Sequence, residues 1–171
     1  TYKNAKYPMI YINDTWKYYN GSSWKNIPDK VSSGWNQRDN DTIIYTPPEG
    51  EHIIREKLAS LEQFVNNESV SDLDPLIKMA LVHYQFEAIH PFSDGNGRIA
   101  RLWQNILLYN WKEIFEYIPL ESQIHKFQSD YYAAIANCNS DGNSSQFIIF
   151  MLKMIDETLD ELLNISNKII N

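Results

Sequence analysis

The sequence of 171 residues is long enough for one domain with a hydrophobic core, and 43% of its residues are hydrophobic. Its 15 basic and 22 acidic residues give a net charge of −7, which argues against broad nucleic-acid binding. The single cysteine, Cys138, excludes an internal disulfide and favours a reducing, cytoplasmic location. No apolar run approaches the roughly 20 residues of a membrane span, so no membrane association is expected.

Residues 1–50 are rich in Tyr, Trp, Asn, Gly and Pro, which predicts short extended pieces rather than helices. Asn20-Gly21 lies between two aromatic runs and is typical of a β-hairpin turn. The extended pieces are expected at residues 8–12, 15–19 and 42–46.

The hydrophobic pattern after residue 50 has a helical period. Asp74-Pro75 is typical of a helix start, and the helix that follows is apolar nearly all round, which predicts a central place in a bundle. Helices are predicted at residues 51–66, 75–89, 98–109, 121–138 and 146–164. The fold class is therefore mainly α, with a small β-containing or irregular N-terminal part.

The loop between the two buried helices carries residues suited to phosphate binding. Gly95, Asn96 and Gly97 directly precede a helix, where the backbone can approach an anion and free N–H groups carry partial positive charge. Arg98 and Arg101 are three residues apart, so they share one helix face and add two full charges.

The same loop also carries an acid and a base. Asp94 can hold a hard divalent cation against phosphate oxygens, and the imidazole of His90 can accept a proton near neutral pH. Taken separately, such a glycine-rich turn and a helix-ending histidine are ordinary structural features. Together they are suited to transfer from a metal-bound nucleotide onto a hydroxyl.

Residues 90–101 resemble the Fic-domain signature, which fixes a histidine, a phenylalanine, an acidic residue, a Gly-Asn-Gly (or Lys) run and two arginines. Every fixed position of that signature is matched, and the resemblance extends over about residues 42–165. It implies a Fic-type helical bundle with a small β-hairpin flap. Residues 42–171 would form this domain, and residues 1–41 would be a separate irregular or β segment of unknown role.

The resemblance also implies an activity, because Fic domains mostly transfer AMP from ATP to a Ser, Thr or Tyr hydroxyl of a protein. The expected function is therefore that of a protein adenylyltransferase, with ATP and a target protein as partners. His90 would be the catalytic base, and Asp94 would bind Mg²⁺. The phosphates would be held by Gly95, Asn96, Gly97, Arg98 and Arg101.

Less specific matches concern the nucleoside and the target. Tyr131 and Asn139 match positions that line the nucleoside pocket of the family. The target segment would be clamped by backbone pairing with a flap formed by Ile43, Ile44, Tyr45 and Thr46. Ile43 and Ile44 are equally interpretable as ordinary core residues.

Other transfer reactions are alternatives to AMP transfer. Gly97 favours AMP transfer over phosphate transfer, because the phosphorylating Doc branch of the family has Lys at this position. Transfer of UMP or phosphocholine, removal of AMP, and a non-catalytic interaction module are the remaining alternatives. The intact signature argues against the last of these.

Many Fic proteins carry an inhibitory helix whose Glu pairs with the second arginine of the signature, here Arg101. Residues 1–171 do not contain that helix's sequence motif. The inhibitor, if there is one, is therefore expected upstream or on a separate small protein. Arg101 is expected to be free of carboxylates belonging to this chain.

Overall fold

The computed structural model describes residues 9–12, 15–19, 24–26, 37–39, 42–67 and 72–170. The predicted Asn20-Gly21 turn lies outside these residues, and the division of the chain at residue 42 stays a prediction. Within the described ranges the elements are β1 (Met9–Ile12), β2 (Thr15–Tyr19), β3 (Trp24–Asn26), β4 (Gln37–Asp39), β5 (Thr42–Tyr45), α1 (Glu51–Asn66), α2 (Pro75–Ile89), α3 (Asn96–Trp111), a 3-10 helix (Glu113–Glu116), α4 (Leu120–Lys126), α5 (Gln128–Asp141) and α6 (Ser145–Ile170).

The strands form two small antiparallel sheets. β2 pairs with both β1 and β3, and Tyr19 lies opposite Trp24 in the second pair. β4 pairs with β5, with an irregular register between Gln37 and Arg38. The described chain is otherwise helical, so the predicted mainly α class is confirmed.

Two helix boundaries differ from the sequence prediction in ways that affect the site. α3 begins at Asn96 rather than at residue 98, because Gly95 adopts the left-handed conformation that precedes the helix. α5 continues through Asp141 and ends at the left-handed Gly142, so Asn139 lies on a helix and not in a turn.

The single helix predicted over residues 121–138 is wrong. The structure divides it into α4 and α5 at Phe127, whose backbone angles of φ −108° and ψ 37° leave the helical region. Phe127 packs against the hydrophobic core at this break. Propensity alone could not reveal the break, because every neighbouring residue is compatible with a helix.

α2 is the central helix of the bundle, as its all-round apolar sequence predicted. α1, α3 and α6 all pack against it. Met79 and Ala80 are fully buried, and the main core gathers residues of α2, α5 and α6 around them. Because α2 is held on several sides, its C-terminal end at Ile89 and His90 is fixed relative to the rest of the domain.

α6 is the longest described helix, with 26 residues. Its N-terminal part packs against α2, α4 and α5 and buries Phe147, Met151 and Met154. Its C-terminal part leaves Leu163 and Ile165 exposed. Among the helices of the described chain, none combines the length and the apolar character needed to cross a bilayer.

The start of α2 supplies a test of the fold. The side chain of Asp74 accepts a hydrogen bond from the backbone N–H of Leu76 at 2.9 Å, and Pro75 occupies the first helical position. Replacing Asp74→Ala should lower the free energy of unfolding by about 1 kcal/mol, because the first turn loses its cap. Urea denaturation would measure this change. The matched Asp72→Ala variant should unfold like the parent chain, and an equal loss in both variants would contradict the capping role.

Candidate phosphate-binding and proton-transfer site

The loop that joins α2 to α3 spans residues 90–95 and has left-handed backbone angles at both ends. His90 caps the end of α2 with φ 48° and ψ 55°. It is the only described non-glycine residue with a positive φ. Gly95 begins α3 with φ 87°, which glycine adopts without steric cost. A left-handed non-glycine residue is strained, and such positions concentrate at functional sites.

Asn96, the first residue of α3, fastens this loop through its side chain. Its Nδ2 donates to the carbonyl of Phe92 at 2.6 Å, and its Oδ1 accepts from the Phe92 backbone N–H at 3.0 Å. Asn96 is buried, so both bonds are shielded from water. Because this amide is engaged, the group that Asn96 can offer to a phosphate is its backbone N–H at the helix start.

His90 is oriented by the helix that it ends. Its Nδ1 lies 3.3 Å from the carbonyl oxygen of Glu87. A carbonyl can only accept, so Nδ1 carries the proton of the neutral imidazole and Nε2 carries the lone pair. Burial lowers the pKa of His90 below its ordinary value, although the bond to Glu87 opposes this shift. The imidazole is therefore neutral at pH 7, as a base must be.

Arg98 and Asp94 form an exposed ion pair where the loop meets the start of α3. Nη2 of Arg98 lies 2.8 Å from Oδ2 of Asp94, and the two side chains are 68% and 88% exposed. An ion pair this exposed contributes little to stability. Either group can therefore leave its partner and bind a charged ligand at a small cost in free energy.

Arg101 is not free of the chain's own carboxylates, so that expectation is wrong. Its Nε lies 3.4 Å from Oε1 of Glu121, which follows 20 residues later in the first turn of α4. The side chain of Arg101 is 24% exposed, whereas that of Glu121 is 66% exposed. The contact arises from the fold and does not involve the inhibitory sequence motif.

Gly97 occupies a position with no room for a side chain. A Cβ atom there would lie 2.9 Å from Oε1 of Glu87 and 3.1 Å from Nη1 of Arg101. Both distances are shorter than ordinary contacts, so a side chain would displace one or both charged groups. The Gly at this position is thus explained by crowding as well as by backbone approach to a ligand.

A chain of buried hydrogen bonds lies behind this glycine. Oε1 of Glu87 accepts from the Tyr131 hydroxyl at 3.1 Å, and that hydroxyl lies 3.0 Å from Nε2 of His83. Nδ1 of His83 lies 2.7 Å from Oε1 of Gln104. All four residues are buried, and they join α2, α3 and α5.

Burial changes the ionisation of these groups. It lowers the pKa of His83 to about 4, so this imidazole is neutral at pH 7. Burial raises the pKa of Glu87, while the Tyr131 hydrogen bond and the Arg101 charge oppose that rise. His83 is therefore a hydrogen-bonded core histidine. Sequence reasoning missed Glu87, although an acidic residue on a largely apolar helix, three residues before His90, was a usable signal.

A cavity of about 350 Å³ lies between the end of α2 and the turn from α5 to α6. This volume is within the range of small-molecule sites. Asn139 lines it and accepts a hydrogen bond from the Tyr84 hydroxyl at 2.9 Å. Ala88, two residues before His90, also forms part of its wall. Tyr131 lies in the core and does not line this cavity, and its predicted place in a nucleoside pocket stays a prediction.

The predicted flap residues meet the bundle through Tyr45. Its hydroxyl donates to the carbonyl of Ala88 at 2.5 Å, and its side chain borders the cavity. Ile43 and Ile44 lie in β5, whereas Thr46 follows the strand and is exposed. The β4–β5 pair is thereby tied to the end of α2 beside His90. Binding of a target by these residues stays a prediction.

Asp94 fits one kind of metal ion. In the part of the chain that the structure describes, no three His, Cys, Asp or Glu side chains come together as a metal site. A single exposed carboxylate beside a helix start suits an ion that takes most of its ligands from phosphates and water, as Mg²⁺ does.

Comparison with known proteins adds independent findings. A sequence profile described as the Fic/DOC family matches residues 11–108, and so it covers the whole loop but neither Tyr131 nor Asn139. Protein adenylyltransferase fic-1 of Caenorhabditis briggsae is 32% identical over 109 residues, which are 64% of this chain and 20% of the relative. Protein adenylyltransferase Fic of Drosophila erecta is 31% identical over 132 residues, 77% of this chain and 26% of the relative.

The chain therefore spans about a fifth to a quarter of the length of these curated relatives. The crystal structure of a Fic family protein from Desulfovibrio desulfuricans G20 is similar with a TM-score of 0.66 and 34% sequence identity. The similarity covers 71% of this chain and 36% of that chain.

The two buried histidines predict a pH dependence. Both His83 and His90 have pKa values lowered below 6.5, so below that pH the unfolded chain binds protons that the folded chain does not. The free energy of unfolding should therefore fall as the pH drops from 6.5 towards 4. An NMR titration of the imidazole Cε1 protons, assigned with a His90→Ala variant, would measure both values. A midpoint at or above 6.5 for either ring would contradict the burial argument.

Proposed function

Because the chain belongs to the Fic/DOC family, we propose that it is a protein adenylyltransferase, which moves AMP from ATP onto a hydroxyl of a protein. The observation that carries the proposal is the orientation of His90. Its neutral imidazole is anchored through Nδ1 to the Glu87 carbonyl at the edge of a glycine loop that two arginines flank. The names of the curated relatives support the same reaction class.

The triphosphate would lie across the start of α3. No side chain caps this helix end, so the backbone N–H groups of Asn96, Gly97 and Arg98 can point at phosphate oxygens. Arg98 and Arg101 would neutralise the β- and γ-phosphates by leaving their exposed carboxylate partners. Preorganised donors of this kind stabilise the charge that develops during phosphoryl chemistry.

His90 would start the reaction. Nε2 takes the proton from the acceptor hydroxyl, and the hydroxyl oxygen bonds to the α-phosphorus. The bond from that phosphorus to the bridging oxygen breaks, and pyrophosphate leaves with its electron pair. The rigid left-handed end of α2 holds the base in one orientation throughout.

Asp94 would hold Mg²⁺ after parting from Arg98. The ion, when bound, would neutralise phosphate charge. Asp94 adds one carboxylate to a shell that phosphate oxygens and water complete, and so the ion and the nucleotide should bind together.

The cavity beside Ala88 is our candidate for the nucleoside. Its polar edge is the Asn139 amide, whose oxygen is already engaged with Tyr84. Asn139 would contact the nucleoside in this cavity. Tyr131 would instead influence the phosphate loop indirectly, through its hydrogen bond to Glu87.

The β5 strand is our candidate for target binding. Tyr45 fixes the end of this strand to Ala88, two residues from the proposed base. A target segment that pairs with its backbone would present a hydroxyl near His90. Ile43, Ile44 and Thr46 would contribute backbone groups to that pairing.

Through the family resemblance, the glycine at position 97 favours AMP transfer over phosphate transfer. The phosphorylating Doc branch has Lys at this position, and any side chain here would meet Glu87 and Arg101 at about 3 Å. A Lys would therefore rearrange the arginine that the proposal assigns to the γ-phosphate.

Replacing His90→Ala should lower transfer by about 10²–10⁴-fold, because the general base is lost. ATP affinity should change little, since other groups hold the phosphates. Transfer of label from α-labelled ATP to protein, together with ATP titration calorimetry, would measure the two effects separately. The His125→Ala variant, altered at an exposed histidine of α4, is the matched control and should stay active. Full activity of His90→Ala would remove this residue from the mechanism.

A further inference from the structure

Glu87 is a buried carboxylate to which the mechanism above assigns no chemical step. It is 8% exposed, and its Oε1 lies directly beneath Gly97. The position that a Cβ of Gly97 would take is 2.9 Å from this oxygen and 3.1 Å from Nη1 of Arg101, so the two charged atoms are within about 6 Å of each other. Opposite charges at this separation influence each other strongly when solvent is excluded.

The protons of the buried chain can be counted. The Tyr131 hydroxyl has one proton, and it donates that proton to Oε1 of Glu87. The hydroxyl therefore cannot also donate to Nε2 of His83, so Nε2 must carry a proton and donate to Tyr131. His83 is neutral at pH 7, and its Nδ1 must then accept a hydrogen bond.

Gln104 supplies the donor that Nδ1 needs. Within the described residues, the amide nitrogen of Gln104 is the one buried side-chain nitrogen or oxygen without a hydrogen-bond partner, while its oxygen faces Nδ1. Exchanging the two ends of the amide lets the nitrogen donate to Nδ1 and leaves the amide oxygen as the unpaired group. Each group then donates a hydrogen bond to the next. Gln104 donates to His83, His83 donates to Tyr131, and Tyr131 donates to the Glu87 carboxylate.

The alternative arrangement reverses the chain. If Glu87 were protonated, it would donate to Tyr131, Tyr131 to Nε2 of His83, and Nδ1 of His83 to the Gln104 oxygen. This arrangement leaves the buried Gln104 nitrogen unpaired and removes the negative charge beside Arg101. The first arrangement leaves a buried carbonyl oxygen unpaired instead, and a buried unpaired N–H is rarer than a buried unpaired carbonyl oxygen, so the first arrangement is favoured.

We propose that Glu87 is an ionised positioning residue, which the donors of Gln104, His83 and Tyr131 stabilise and which fixes Arg101 beside the phosphate loop. The inference rests on the proposed function only in assigning Arg101 to the γ-phosphate. Glu87 differs from Glu121, the other carboxylate near Arg101, because it is buried and remains in place when the exposed Glu121 gives way to phosphate.

Nucleotide affinity tests the positioning role. The ratio of the dissociation constants for ADP and ATP reports the γ-phosphate contact alone. Glu87→Gln should reduce the preference for ATP by about tenfold, and Tyr131→Phe should reduce it less, because only one hydrogen bond is lost. A general loss of folding or of nucleoside contacts would instead weaken ATP and ADP binding equally, and that result would overturn the proposal.

Two matched variants serve as controls. Tyr132→Phe alters the exposed neighbour of Tyr131 and should leave the preference unchanged. Glu121→Gln removes the exposed competitor and should leave the preference equal or greater. A loss of preference in Glu121→Gln as large as in Glu87→Gln would contradict the distinction between the two carboxylates.

The protonation of His83 tests the proposal without any nucleotide. In the parent chain at pH 7.5, nitrogen NMR should find the proton of His83 on Nε2. A proton on Nδ1 would mean that Glu87 is neutral, and it would overturn the inference whatever the enzyme's activity. An unchanged ATP preference in Arg101→Ala would instead overturn the assignment of Arg101 to the γ-phosphate, and the positioning role with it. The His83 result distinguishes these two failures.

Discussion

The side-chain amide of Asn96 closes the loop between α2 and α3 with two hydrogen bonds to the backbone of Phe92. The rest of the candidate site depends on this clamp. It holds the left-handed end of α2 at His90 and the open start of α3 in one arrangement. A base and a set of backbone donors are thereby held together before any ligand binds, which reduces the entropy lost on binding.

Charge balance is the second constraint on the loop. Each arginine has an acidic neighbour, but the neighbours differ in depth. Asp94 and Glu121 are exposed and can separate from Arg98 and Arg101 at little cost, whereas Glu87 is buried and accepts a hydrogen bond from Tyr131. The site therefore combines replaceable surface carboxylates with a buried one.

Local sequence signals predicted part of this arrangement well. The Asp74-Pro75 start and the apolar character of α2 predicted a buried helix that ends at the loop, because caps and periodicity are local properties. The signature residues of the loop were identifiable for the same reason. The break at Phe127 was missed, since it depends on packing against distant residues.

The partners of the charged groups could not be predicted. Arg101 meets Glu121 across 20 residues, and Glu87 meets Tyr131 across 44 residues. No hydrophobic periodicity relates positions so far apart in the sequence, and the sequence alone does not distinguish a buried glutamate from an exposed one. Gly97 was explained by its family position, whereas the structure adds the steric reason that Glu87 and Arg101 occupy the space of a side chain.

The central claim is that this loop turns the α-phosphate of ATP towards His90. It is tested most directly by incubating the chain with Mg²⁺ and ATP labelled in either the α- or the γ-phosphate, with the chain itself as acceptor. If ATP binds in this way, protein should be labelled only from the α position, and His90→Ala should lower the labelling by about 10²–10⁴-fold. Labelling of protein from the γ position would contradict it, because the terminal phosphate would then be the group that faces the base.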